Sequence, residues 1–129
     1  MVERSKDWLA QADRDLAQAK ESLKDGFYEW ACFAAQQSAE KAAKAVYQSI
    51  HVDVIGHSVS RMLRDSPTSL KPDDEIIRLA QSLDRHYVPS RYPNSHPEGA
   101  PKDYYTEQDA AQAVNGAEKI VGYCRSKIP

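Results

Sequence analysis

Trp8, Ala12, Leu16, Ala19 and Leu23 recur at intervals of three and four, with Lys6, Asp13, Lys20 and Lys24 between them. This period predicts an amphipathic helix from Ser5 to Asp25, with Ser5 as its cap and Gly26 as its stop. From Phe27 to Ile50 there is neither proline nor glycine. Ala31, Ala35, Ser38, Ala42 and Ala45 then form a stripe of small residues along roughly 35 Å of helix. Small side chains let another helix backbone come close, so the stripe reads as packing within the chain. The segment HVDVIG breaks the pattern, and HSVSRMLRD reads as a short third helix. Pro72, Asp73, Asp74 and Glu75 make a helix start, because proline suits the first turn and carboxylates oppose the positive end of the helix dipole. Ile76, Leu79, Ala80, Leu83 and Tyr87 continue one face. The pattern stops at Pro89, and four prolines and a glycine before Tyr105 predict a long loop. Thr106 and Asp109 approximate a capping box, after which Ala110, Ala113, Val114, Ala117, Ile120, Val121 and Cys124 mark a last helix. No segment alternates as a strand does. The expected architecture is an all-α bundle, two long antiparallel helices with two more packed against them.

The chain has 129 residues and a net charge of -2, the size of one domain spanning 1–129 and without an overall basic field to attract nucleic acid. Any RNA contact must be local. Cys32 and Cys124 lie far apart, with no Cys-x-x-Cys spacing and no Cys/His cluster for zinc, so no metal or other cofactor is expected and a reduced, cytoplasmic setting fits. The first fifteen residues carry charge every few positions, which excludes a secretory signal, and no run of eighteen apolar residues suggests a membrane span.

The segment FYEWACFAAQQSAEKAAKAVY, preceded by a first helix of the form W-L-x-x-A-x-x-D-L-x-x-A, resembles the prokaryotic branch of the HEPN domain family. That family is written with an alanine-rich Gln-Gln-x-x-Glu-Lys-x-x-Lys-Ala core. Gln36, Gln37, Glu40, Lys41, Lys44 and Ala45 stand at the matching positions, with Trp8, Asp15 and Leu16 on the first helix. His57-Ser58 and Arg91-Tyr92-Pro93 extend the likeness over almost the whole chain. The resemblance implies a four- to five-helix up-and-down bundle that pairs into a homodimer. It further implies a minimal nucleotidyltransferase as partner in a toxin-antitoxin pair, with nucleotide binding or ribonuclease activity on the same scaffold. One scaffold hosting several functions predicts fold better than activity.

The ribonuclease branch is described by an arginine followed, four to six residues later, by a histidine. Arg91 and His96 meet that spacing as candidate catalytic residues of a metal-independent endoribonuclease. The chemistry is reasonable, since imidazole titrates near neutrality and guanidinium grips a phosphate with two prongs. Composition alone, however, predicts about 0.7 such spacings in a chain like this, so the spacing by itself carries no weight. Pro93 and Pro97 stiffen the segment, and Arg91 is expected to turn inward while His96 faces solvent.

Gln37, Lys41, Lys44, Arg91 and Tyr92 are the candidates for binding a nucleotide or RNA phosphate. Against this, Glu40 and Lys44 lie one turn apart and would pair on a solvated face. Asp15, Arg85 and His86 fall near the same loop. Asp84, Arg85 and His86 read as exposed helix residues, with His86 able to replace His96 as a proton carrier. Tyr87, Tyr92, Tyr104 and Tyr105 could stack on bases, or staple the loop to the bundle. The preferred reading is a homodimeric interaction module with a phosphate cleft under the Arg91 loop. The alternative is the ribonuclease.

Overall fold

Each helix starts and stops where a local hydrogen-bonding device permits it. In a computed structural model that describes residues 3–66 and 72–129, α1 runs Ser5–Lys24, α2 Tyr28–Ser49, α3 Val59–Asp65, α4 Asp74–Asp84 and α5 Glu107–Ser126. Ser5 is the first helical residue and is buried; Arg4 holds the cap position, and the Glu3 carboxylate accepts the Ser5 N–H. The expected Ser5 cap is thus displaced by one residue. Gly26 does end α1. It takes a φ of +84° and brings the Phe27 N–H to the Ser22 carbonyl at 2.9 Å, the backbone closure that left-handed glycine makes cheap.

The short turn at Gly26 folds α2 back along α1, and α2 becomes the central helix, packed against α1 and α5. Its small-residue stripe does this work inside the chain: Ala31, Ala35, Ser38, Ala42 and Ala45 are buried. The Ser38 hydroxyl donates to the Ala12 carbonyl at 2.7 Å, a contact that only close helix approach allows. Asp73 caps α4 by accepting the Ile76 N–H, and the Thr106–Asp109 capping box starts α5 as expected.

Two elements depart from the sequence pattern. The helix α4 ends at Asp84, so Tyr87 lies in the turns that follow rather than on the helix. At that end the Asp84 side chain turns away from α4. Its carboxylate crosses to α3 and accepts the Val59 N–H at 2.7 Å, the Ser60 N–H at 3.1 Å, and the hydroxyls of Ser58 and Ser60. Asp84 therefore satisfies the free N–H groups at the start of α3 and is not an exposed helix residue. The loop after Pro89 is also more regular than four prolines suggest. Pro93–Ser95 and Pro101–Asp103 are single 3-10 turns, each opened by proline in its first position. No strand occurs among the described residues. The fold is an all-α, five-helix bundle.

Candidate functional site

The Arg91 side chain sits in an aromatic cradle. Its guanidinium lies 4.2 Å from the ring centre of Phe33 on α2, 4.7 Å from Tyr87 and 5.0 Å from Tyr92. Nε and Nη2 both donate to the Tyr87 carbonyl, at 2.9 and 2.7 Å, so one side of the fork is fixed by backbone. Arg91 is half-buried and forms no ion pair with any carboxylate among the described residues. A held cation without a counter-charge is suited to an incoming anion.

Behind Arg91 stands a chain of polar contacts through α2. The Tyr87 ring stacks on His57 at 4.2 Å. His57 Nδ1 lies 3.1 Å from Glu40 Oε1, and the His57 carbonyl accepts from Gln36 Nε2 at 3.1 Å. Gln36 also reaches Glu40, at 3.2 Å, and accepts from Gln37 Nε2 at 2.8 Å. Lys44 donates to the other Glu40 oxygen at 3.1 Å, and its ammonium lies 5.7 Å from the Trp8 ring centre. Lys41 pairs with Asp15 at 2.5 Å and also reaches Gln37. The Glu40–Lys44 pair exists as expected, but its face is not solvated. Only 6% of the Glu40 side chain and 14% of the Lys44 side chain are exposed.

Lys41 and Lys44, expected as phosphate ligands, each already hold a carboxylate. Gln37 and Lys41 instead line one wall of a groove of about 520 Å³ between α1 and α2, with Asp15, Phe27, Trp30 and Phe33. Phe33 is shared between that groove and the Arg91 cradle. Tyr92 is half-exposed beside Arg91. Tyr104 and Tyr105 are stapled to the loop and bundle, Tyr104 through its hydroxyl to the Glu98 carbonyl and Tyr105 to His86 Nδ1 at 3.1 Å.

His96 does not face solvent freely, contrary to the expectation. Its ring is half-buried and stacks on Tyr104 at 4.3 Å, and Nε2 lies 2.7 Å from the Pro89 carbonyl. A carbonyl only accepts, so Nε2 carries the proton and is occupied. His86 is also not an exposed helix residue. It lines a separate cavity of about 350 Å³ between α4 and α5, which Arg91 does not border, and burial holds its pKa below the usual histidine value. Arg85 alone of that trio is exposed.

The residues missed from sequence are Phe33 as the platform under Arg91 and Glu40 as the buried centre of the network. Spacing held a signal for the second. Gln36, Glu40 and Lys44 fall at four-residue steps with Ala35, Ala39 and Ala43 beside each, which places their face against other helices rather than in water. Burial raises the thiols of Cys32 and Cys124 to about 12, so both are inert. Among the described residues no group of three His, Cys, Asp or Glu could hold a metal, and no helix is long and apolar enough to cross a membrane.

An alanine-centred helical bundle with a caged arginine and a Gln-Gln-Glu-Lys network defines a class rather than an activity. Residues 5–127 match the HEPN domain family, and the chain belongs to it. Among its relatives is a Methanocaldococcus jannaschii protein named "Putative toxin MJ1304", 30% identical, the match covering 93% of this chain and 85% of the relative. A crystal structure of a Thermus thermophilus protein superposes with a TM-score of 0.95 at 38% identity, covering 98% of this chain and all (100%) of that one. An archaeal HEPN homologue gives 0.84 at 41% identity over 99% of this chain and 100% of that one. A HEPN domain protein of Thermotoga maritima gives 0.75 at 36%, over 92% and 94%.

Proposed function

We propose that the protein is a homodimeric HEPN module of toxin-antitoxin type, that its partner is a minimal nucleotidyltransferase, and that it binds a nucleotide or RNA phosphate at Arg91. The observation that carries the binding reading is a half-buried guanidinium, pinned on one side by the Tyr87 carbonyl and without an ion pair among the described residues. The toxin name of the archaeal relative supports the wider context. For the dimer, the support is the apolar groove beside α2, where Phe27 and Trp30 are 56% and 50% exposed. Large aromatic groups left at a groove are characteristic of interfaces. Sedimentation equilibrium at micromolar concentration is expected to give twice the 14.5 kDa chain mass, and a monomer throughout would remove the dimer.

The ribonuclease reading asks His96 to move a proton next to a phosphate held by Arg91. A base must reach that proton within hydrogen-bond distance. In His96 one ring nitrogen is committed to Pro89 and the ring is clamped on Tyr104. We therefore expect the purified protein to cleave RNA no faster than His96→Ala, in EDTA, between pH 6 and 8. Cleavage by the wild type that the variant loses by about a hundredfold would reinstate the enzyme.

A further inference from the structure

Away from Arg91, α4 and α5 leave between them the cavity of about 350 Å³ that His86 lines. Its floor is apolar, made by Leu79 and Leu83 of α4 and Ala113 of α5. On one side the two helices touch. A Cβ added at Gly116 would stand 3.5 Å from Leu79 Cδ2, so the bare glycine backbone of α5 closes onto that leucine. Pockets that take a whole small ligand measure about 300–1,000 Å³, which puts this one at the lower end, the size of a metabolite smaller than a nucleotide.

Two opposite charges line the same cavity. Arg85 stands at the C-terminal cap of α4 and Asp109 in the first turn of α5. Neither forms an ion pair among the described residues, so the two do not neutralise each other. Arg85 gives one N–H to the Ser82 hydroxyl at 3.1 Å, which leaves most of its fork unused. Asp109 Oδ2 accepts the Thr106 N–H at 2.9 Å, which leaves Oδ1. Between them His86 feels both charges: burial lowers its pKa most, Asp109 raises it and Arg85 lowers it, so the imidazole is neutral at pH 7. A lone anion would be drawn to Arg85 and repelled by Asp109, and a lone cation the reverse. A molecule carrying both charges gains at both walls. An aliphatic α-amino acid carries carboxylate, ammonium and alkyl groups on one carbon, and these three match Arg85, Asp109 and the leucine floor.

We propose that the cavity between α4 and α5 binds a free aliphatic α-amino acid. Arg85 takes the carboxylate with two N–H groups, Asp109 Oδ1 accepts from the ammonium, and the side chain lies on Leu79, Leu83 and Ala113. The site stands apart from the phosphate reading and from the dimer groove, since neither Arg91 nor Phe27 nor Trp30 borders it.

The test titrates L-leucine, isocaproate and isoamylamine into the full chain by calorimetry. Isocaproate is leucine without its ammonium, and isoamylamine is leucine without its carboxylate. Leucine is expected to bind saturably and each analogue at least about tenfold more weakly, because each loses one charge-assisted contact. Arg85→Gln should remove the advantage of leucine over isoamylamine, and Asp109→Asn its advantage over isocaproate. Arg85 is exposed and asparagine keeps an oxygen for the Thr106 N–H, so both variants should fold, which circular dichroism verifies. The three ligands compared on the wild type decide the question without any variant. Leucine binding no tighter than isocaproate or isoamylamine overturns the proposal, because one charge would then be idle. Leucine affinity unchanged in both variants would place the ligand elsewhere and overturn it too. Absence of saturable leucine binding to the wild type overturns the site altogether.

Discussion

Glu40→Ala is expected to destabilise the protein by about 3 kcal/mol, read as a fall of roughly 10 °C in the thermal midpoint. The Glu40 carboxylate receives Gln36, His57 and Lys44 within 3.1–3.2 Å and is almost wholly buried. Removing it takes the paired carboxylate from Lys44, whose side chain is only 14% exposed and whose ammonium lies beside the Trp8 ring. Stranding one member of a buried pair costs about 3–5 kcal/mol, and the lower end applies because Lys44 and His57 can both turn toward water. A Glu40→Leu, Lys44→Met double variant should recover most of the loss, since replacing both charges removes the stranded one. A single variant within about 0.5 kcal/mol of wild type would show that the network carries no such energy.

Arg91→Lys is expected to weaken AMP binding by about thirtyfold, close to 2 kcal/mol. Lysine keeps the charge but cannot give two N–H groups to the Tyr87 carbonyl while presenting its remaining donors outward, nor can it lie flat on Phe33. The pinned backbone carbonyl orients the arginine before any ligand arrives, so the loss should appear in affinity at low and at high salt alike. Titration calorimetry at two ionic strengths measures this. Equal affinity in both proteins would mean that charge alone is being read, and would remove the case for a two-pronged phosphate contact.

The two effects meet in one pathway through the fold. Glu40 positions His57, His57 stacks on Tyr87, and the Tyr87 carbonyl aims Arg91. The same stretch that resembles the HEPN signature thus both stabilises the bundle and orients the Arg91 guanidinium. Asp84, from the end of α4, completes the arrangement by tying down the start of α3 directly after His57.

The sequence by itself determined the helices. Their starts and stops depend on residues within one turn: Gly26 at a positive φ, Asp73 and Thr106 as caps, and the prolines that open the two 3-10 turns. Hydrophobic period and capping act locally, so they are legible in a single chain, as is the alanine stripe that permits close packing. What tertiary structure alone decided is where the polar groups went. Glu40 became a hub because Gln36, Lys44 and His57, the last 17 positions later, all turn onto its carboxylate. Asp84 reaches back 25 residues to Val59, which moved it from a surface residue to a cap. Lys41 lost its freedom to Asp15, 26 positions earlier on α1, and His96 was turned onto the Pro89 carbonyl and the Tyr104 ring. Charge and hydrogen-bonding capacity can be read from residue type, but whether they are already satisfied depends on partners brought together by packing, and no periodicity encodes those distances.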